Sequence, residues 1–138
     1  MRKKQIAFTI NNLEQAEGII TEAKIYKIIP ILHFKNYILA GFGSDFIITF
    51  KNILISKFGK SSFKLFVDCG FNYGLSIDMI ALKINYIKLK GNLVNLKKIN
   101  NIASKNKVLL NPAFNIVDFR NRKKINLKFK KLYSRNKL

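Results

Sequence analysis

Apolar positions along this chain alternate between the period of a strand and the period of a helix. The most complete example is the segment 63–92, which begins with FKLFVDC, a short run rich in aromatic and apolar residues. After a turn containing two glycines, Leu75, Met79 and Leu82 recur at the spacing of one helical face. Residues 86–90, YIKLK, then alternate between two faces. The pattern predicts a strand, a helix and a parallel strand joined by a right-handed crossover.

The same alternation extends over the rest of the chain and predicts the order β α β α β α β α β. This order indicates an α/β fold with a mostly parallel sheet of about five strands, in which the strand 63–69 is central. Two architectures fit the order, a fragment of a (β/α) barrel and an open doubly wound sheet, and the pattern does not separate them. The predicted strands are 5–10, 28–34, 63–69, 86–90 and 107–110, and the predicted helices begin near Asn12, Asp45, Asn72 and Leu93.

The character of the sequence changes after Phe119. Residues 120–138 contain nine basic residues and no acidic one. We therefore predict an α/β domain over residues 1–119 and a basic C-terminal tail over 120–138 that contributes little to the core. Within the tail, Ile125, Leu127 and Phe129 alternate with polar residues, a pattern that is also typical of an added edge strand.

The charge of the chain is strongly positive, with 26 basic and 7 acidic residues and a net charge of +19. Such an excess favours polyanionic partners, because basic side chains release counterions from phosphates. Lysine, asparagine and isoleucine are abundant throughout, however, which is also typical of a codon bias towards A and T. The single cysteine, Cys69, excludes an intramolecular disulfide and makes a reducing cytoplasm the expected location.

No stretch of the sequence predicts a membrane span, since the most apolar one, 37–50, is too short and contains Asp45. The predicted helix 46–58 is nevertheless apolar on nearly every side. Such a helix is usually buried on two sides. It either packs beneath the sheet or forms a contact between copies of the chain, so a homo-oligomer through Phe46 to Phe58 is one hypothesis.

Polar residues at the carboxyl ends of the predicted strands are the first candidates for a ligand site, because ligands of α/β sheets bind there. A turn after one parallel strand and the helix start after the next converge at one end of a βαβ unit. We therefore predict ligand binding by Asp68, Asn72, Lys90 and Asn92, with Asp68 as acceptor or base and Lys90 for an anionic group. Loops and helix caps also require polar residues. In this alternative interpretation, Asp68 only forms hydrogen bonds with backbone amides of its own turn. The strand ends carry Thr9, Asn11, Asn12, His33, Lys35, Asp68, Cys69, Asn72, Lys88, Lys90, Asn92 and Asn111.

Four side chains at the strand ends have both a chemical and a structural interpretation. His33 is the only histidine and lacks a second ligand of its kind for a metal, while a carboxylate beside Cys69 tends to raise the pKa of a thiol rather than lower it. Lys88 and Lys90 share one strand face, where they either hold a phosphate or carboxylate or protect an edge strand from aggregation. No motif predicts a metal or a cofactor, and the sequence assigns no catalytic residue.

The stretch DCGFNYGLSIDMIAL, residues 68–82, resembles a group of small, functionally uncharacterised bacterial α/β proteins with an Asp-Cys-Gly-x-x-x-Gly turn between a strand and a helix. The match covers Asp68, Cys69, Gly70 and Gly74, with looser similarity over residues 6–23. Those proteins look like pieces of aldolase-type barrels. The resemblance therefore favours the barrel-derived architecture and implies no catalytic residues.

Two functions of different classes follow from these observations. The first is an α/β domain that binds a small anionic metabolite at the strand ends, with or without catalysis. The second is binding of RNA or another polyanion through the tail, with Phe129 and Tyr133 as stacking residues. A catalytically silent interaction subunit is a third hypothesis. The tail residues assigned to the second function are Arg120, Arg122, Lys123, Lys124, Lys128, Lys130 and Lys131.

Overall fold

The computed structural model of the chain describes residues 5–121 and 123–133. Strands and helices alternate along most of its length, and a short 3₁₀ turn precedes the third strand. The strands are β1 (Ile6–Thr9), β2 (Ile31–Phe34), β3 (Lys64–Asp68), β4 (Tyr86–Lys88), β5 (Leu109–Leu110) and β6 (Asn115–Asp118). The helices are α1 (Leu13–Ile25), α2 (Asn36–Phe42), α3 (Ser44–Phe58), α4 (Tyr73–Ala81), α5 (Leu93–Lys105) and α6 (Ile125–Tyr133).

The described strands form one parallel sheet in the order β5-β4-β3-β2-β1-β6. The strand β3 pairs with β2 and β4 on its two sides, which confirms the predicted central strand and the predicted parallel βαβ unit. The interpretation that Lys88 and Lys90 protect an edge strand is wrong, because β5 pairs with the other side of β4. The sheet has six strands rather than about five, since β6 was not predicted.

The direction of winding separates the two architectures. From β1 to β5 each new strand is added on the same side of the previous one. Right-handed crossovers that always move in one direction place their helices on one face of the sheet, as in a barrel. The observed packing agrees, because α1 contacts α3, α3 contacts α4, and α4 contacts α5. The sheet is therefore barrel-like, and the doubly wound alternative is wrong.

A short link between the two edge strands shows how strongly the sheet curls. Only residues 111–114 separate β5 from β6, yet these strands lie at opposite edges of the sheet. A flat six-stranded sheet would hold its edge strands about 24 Å apart, at about 4.8 Å per strand. Five peptide steps reach at most about 18 Å. The sheet therefore curves towards a closed barrel, and the link crosses the opening that remains.

The two faces of the sheet are buried to very different extents. The convex face, which includes Phe8, Leu32 and Val67, packs beneath the helices and belongs to the main hydrophobic core. The concave face has only a small buried cluster, formed by Ala7, Ile31 and Phe66, against which Tyr86 and Phe114 pack. The curved sheet is thus filled on its outer side and partly open within.

Asparagines determine where three of the crossover helices begin. The side chains of Asn12, Asn72 and Asn92 accept hydrogen bonds from the backbone N–H groups three residues on, each at 2.9 Å. Two of these three starts had been predicted at the asparagine itself, and the third at the following residue, Leu93. The sequence does not predict the helix α2, because its seven residues are too few for a clear helical period.

The tail differs from its prediction in two respects. Residues expected as an edge strand form the helix α6, which packs against α1. The ring of Phe129 is fully buried and stacks on Phe8 at a centroid distance of 5.0 Å. The expectation that the tail contributes little to the core is therefore wrong, and Phe129 is not available for stacking with RNA. The division of the chain after Phe119 stays a prediction.

The helix α3 directs Ile47, Phe50 and Leu54 into the core, in agreement with the expectation that it packs beneath the sheet. Among the described residues, no single helix is long and apolar enough to cross a membrane. Together α2 and α3 reach that length and composition, with a bend of 107° between them. The contact between copies of the chain through residues 46–58 stays a prediction.

Candidate functional site

A cavity of about 930 Å³ lies within the curve of the sheet, at the carboxyl ends of β2, β3 and β4. The period of two along each strand brings the side chains at 33, 66, 68, 86, 88 and 90 to the concave face. The link between β5 and β6 supplies the opposite wall. The lining residues are His33, Lys35, Asn36, Tyr37, Phe66, Asp68, Lys88, Leu89, Lys90, Asn111, Pro112, Ala113, Phe114 and Ile116.

Three lysines at the ends of β2 and β4, the two strands on either side of β3, give the cavity a positive wall. Lys35 follows β2 directly, Lys88 is the last residue of β4, and Lys90 lies two residues further on. The ammonium of Lys90 lies 5.7 Å from the ring centroid of Phe71, which restrains the side chain beside the cavity mouth. Since Asp68 is the only acidic residue among the described residues of the lining, these residues carry an excess of two positive charges.

Asp68 ends β3 and faces Lys88 of β4 in the register of the sheet. Its Oδ1 accepts a hydrogen bond from the backbone N–H of Gly70 at 2.9 Å, which stabilises the turn after the strand. This hydrogen bond is the alternative, structural role that the sequence predicts for Asp68. No described residue donates to Oδ2, so that oxygen is left to accept a hydrogen bond from a molecule in the cavity.

His33 lies at the base of the cavity and is almost fully buried. Its Nδ1 is hydrogen-bonded to Oγ1 of Thr9 at 2.8 Å, and its ring packs on Phe66 with a centroid distance of 4.8 Å. Burial lowers the pKa of His33 to about 4, with Asp68 opposing the shift and Lys88 adding to it. At neutral pH the imidazole is therefore uncharged, and it acts in the cavity as a hydrogen-bonding group rather than as a cation.

A polar network borders the cavity on the side of β1 and β6. Asp118 and Arg120 form a bidentate ion pair, with Nη2 and Oδ2 2.7 Å apart and Nε and Oδ1 2.9 Å apart. The hydrogen bonds from Arg120 lower the pKa of Asp118 to about 2. The hydroxyl of Tyr37 donates to Asn11, and Arg120 Nη1 lies 3.4 Å from the same hydroxyl. The network joins the ends of β1, β2 and β6 at the rim.

The structure brings together two of the four residues predicted to bind a ligand. Asp68 and Lys90 line the cavity, whereas Asn72 and Asn92 do not and instead cap α4 and α5. Asn72 also borders a second depression of about 720 Å³, between α2, α3 and α4. That the four residues bind one ligand together stays a prediction, and the two caps already have a complete structural explanation.

Cys69 lies on the convex face of the sheet and is fully buried in the main core. Burial raises the pKa of its thiol to about 12, and the neighbouring Asp68 acts in the same direction. A thiol of this kind is protonated at neutral pH and is not activated as a nucleophile. Within the described ranges, no group of three or more His, Cys, Asp or Glu side chains is arranged to hold a metal ion.

The basic residues of the tail lie in different surroundings. Arg120 is paired with Asp118, while Arg122 lies outside the described residues. Tyr133, predicted as a stacking residue, is half-buried against Phe129 at a centroid distance of 5.4 Å. Lys128 is partly buried, and the exposed lysines on and before α6 are Lys123, Lys124, Lys130 and Lys131.

Several residues at the cavity or its rim were not identified from the sequence, among them Tyr37, Phe114 and Asp118. The last two depend on β6, whose pattern NIVDF, residues 115–119, alternates polar and apolar positions after Pro112. This alternation is a signal of a half-buried strand, and it places Asp118 at the strand's polar end. Tyr37 follows from α2, for which the sequence contains no comparable signal.

Comparison with known proteins bears on the fold alone. No protein-family model and no curated protein matches the chain. The structure is similar to a crystal structure from Coccidioides immitis, a protein provisionally assigned as a fructose-1,6-bisphosphate aldolase, with a TM-score of 0.59 and 13% sequence identity. The similarity covers 78% of this chain and 44% of that one. It supports the aldolase-type barrel resemblance at the level of fold, whereas membership of the Asp-Cys-Gly group stays a prediction.

Proposed function

We propose that this protein binds a small anionic ligand in the cavity at the carboxyl ends of β2, β3 and β4. The observation that carries the proposal is the convergence of Lys35, Lys88 and Lys90 on one concave site, where Asp68 is the single acidic residue of the described lining. Ammonium groups bind phosphate and carboxylate as point charges, and a partly enclosed site strengthens such interactions. The proposal concerns binding and does not require catalysis.

Titration of the purified chain with inorganic phosphate, at constant ionic strength and with detection by NMR, tests this function. We expect Lys88→Ala to weaken phosphate binding about tenfold or more, because a hydrogen bond to a charged group is lost. The matched control is Lys98→Ala, which removes the same charge from an exposed position on α5. Equal weakening in both variants would mean that phosphate responds only to net charge, and the proposal would be wrong.

A second candidate is binding of RNA or another polyanion through the tail. It is favoured by the exposed positions of Lys123, Lys124, Lys130 and Lys131, and no acidic residue follows Asp118 in the chain. Replacement of these four lysines by glutamine should weaken binding of a single-stranded RNA oligomer and flatten its dependence on salt. Replacement of four exposed lysines elsewhere is the control, and an equal effect would reject a specific role for the tail.

A further inference from the structure

The cavity lining also contains aromatic residues, which a small inorganic anion would not contact through stacking. Part of its lining is aromatic, with Phe114 on the link opposite the strands, Phe66 on β3 and Tyr37 on α2. Phe66 is buried between its neighbours, but Phe114 is only half-buried and Tyr37 is about half exposed. The site therefore combines lysines at the strand ends with an aromatic ring, Phe114, on the opposite wall.

Phe114 is half-buried beside the cavity and contacts two other aromatic rings. Its ring contacts Phe66 at 5.5 Å and Tyr86 at 4.8 Å, and both contacts are edge-on, with interplanar angles of 79° and 85°. Within the described part of the chain, no aromatic ring stacks in parallel on Phe114. Such a half-buried ring beside a cavity is suited to a flat aromatic group, since stacked rings attract through offset faces.

Phe114 lies in the link between β5 and β6, and its position is determined by the contacts at the two ends of this link. Asn111, with a φ of 53°, turns the chain out of β5, and its side chain bonds both the N–H and the carbonyl of Leu89, at 2.8 and 3.0 Å. The following residues then cross the opening of the curved sheet, and Asn115 enters β6 beside β1. Both ends of the link are fixed, so the ring of Phe114 is presented to the cavity in a defined place.

Besides the lysines and Phe114, Asp68 also restricts which ligands fit the cavity. A carboxylate repels a phosphate, but its free Oδ2 accepts a hydrogen bond from a hydroxyl or an amino group. The site thus offers cations for a phosphate, an acceptor for a sugar hydroxyl and a ring for a base. The volume of about 930 Å³ lies in the range of sites for ligands larger than inorganic phosphate.

We infer that the ligand of this cavity belongs to the nucleoside phosphate class, with the phosphate at Lys35, Lys88 and Lys90 and the base against Phe114. The inference rests on the proposed function. It adds that the uncharged part of the anionic ligand is a nucleoside. It differs from binding through the tail, because the lysines of α6 take no part in it.

The test compares AMP and UMP with ribose 5-phosphate, adenosine and inorganic phosphate, all titrated into the full chain at constant ionic strength. Stacking of a base on an aromatic side chain is expected to make the nucleotides bind about 5- to 150-fold more tightly than ribose 5-phosphate. Phe114→Leu, which keeps an apolar side chain but removes the ring, should lower the affinity for both nucleotides to that for ribose 5-phosphate. Phe42→Leu, at an exposed ring outside the cavity, is the matched control.

The outcomes separate the inference from the proposed function. Equal affinity for AMP and ribose 5-phosphate, with both weakened by Lys88→Ala, overturns the nucleotide inference and leaves anion binding intact. A nucleotide preference that persists in Phe114→Leu also overturns it. If no phosphate compound binds in a way that depends on Lys88, both the inference and the proposed function are wrong. The comparison of ligands on the parent chain remains decisive even if Phe114→Leu does not fold.

Discussion

His33 shows how one buried side chain links the candidate site to stability. Its folded-state pKa of about 4 lies below the value of 6.5 for the unfolded chain. Below pH 6.5 the unfolded state therefore takes up a proton before the folded state does, and the free energy of unfolding falls as the pH decreases towards 4. At most about 3 kcal/mol is lost over this window, since each pKa unit corresponds to about 1.4 kcal/mol.

We expect His33→Asn to remove this part of the pH dependence. Asparagine does not titrate and keeps a polar group near Thr9, so the unfolding free energy of the variant should change less between pH 6.5 and 4. Urea unfolding at several pH values gives the unfolding free energy of the parent protein and of the variant. The carboxyl groups are the same in both proteins, so they contribute equally to the two curves. Asp118 titrates lower, because its folded-state pKa is about 2. Parallel curves for the two proteins would show that His33 is not held in its neutral form.

The helix α6 shows that a strongly basic segment can also be part of the core. Its nine residues direct Phe129 against Phe8 and Phe119, whereas Leu127 remains 53% exposed. The sequence pattern of residues 125–129 fits a strand as well as a helix, because three alternating apolar positions are too few to distinguish the two periods. Packing against α1 favours the helix, which presents Phe129 to the core between residues that remain largely in solvent.

Phe129→Ala is expected to lower the free energy of unfolding by about 3 to 5 kcal/mol, the usual effect of removing a buried phenylalanine ring. Leu127→Ala in the same helix is the control, and it should change stability by less than about 1 kcal/mol, because that side chain is exposed. Denaturant unfolding followed by circular dichroism compares the two variants. Similar stability of both would show that α6 does not contribute to the core and would restore the tail as a separate segment.

At the scale of the whole molecule, repulsion between basic side chains opposes the compact state. The sequence has 26 basic residues against 7 acidic ones, and the described residues contain two ion pairs, Lys57–Glu17 and Arg120–Asp118. Salt screens this repulsion over a distance that shortens from about 14 Å at 0.05 M to about 4 Å at 0.5 M. We therefore expect the melting temperature to rise with sodium chloride over this range.

Differential scanning calorimetry at neutral pH measures this effect, and sucrose at matched osmolarity is the control for a general solute effect. Phosphate at the same ionic strength should raise the melting temperature further if it also binds in the cavity. Lys88→Ala should remove only that additional rise. A melting temperature that falls as sodium chloride increases would show that attractive ion pairs, rather than repulsion, dominate the electrostatics of the fold.

Local patterns in the sequence determined much of this fold. The periods of residues 63–92 predicted β3, α4 and β4, and the asparagines at 12 and 72 marked helix starts, because caps and hydrophobic periods act over a few residues. The same reasoning placed Asp68 and Lys90 at one end of a parallel sheet, and both line the cavity. It selected Asn72 and Asn92 as well, because a polar residue after a strand is equally suited to a cap and to a ligand.

Tertiary structure decided which way the sheet winds and what faces its concave side. The strand order, the pairing of β6 with β1 and the buried position of Phe129 all join residues far apart in the chain. Local periodicity does not contain such pairings, since a strand or an amphipathic helix has the same pattern wherever it packs. The cavity is likewise determined by tertiary structure, because Phe114 reaches Phe66 only when the link between β5 and β6 crosses the curved sheet.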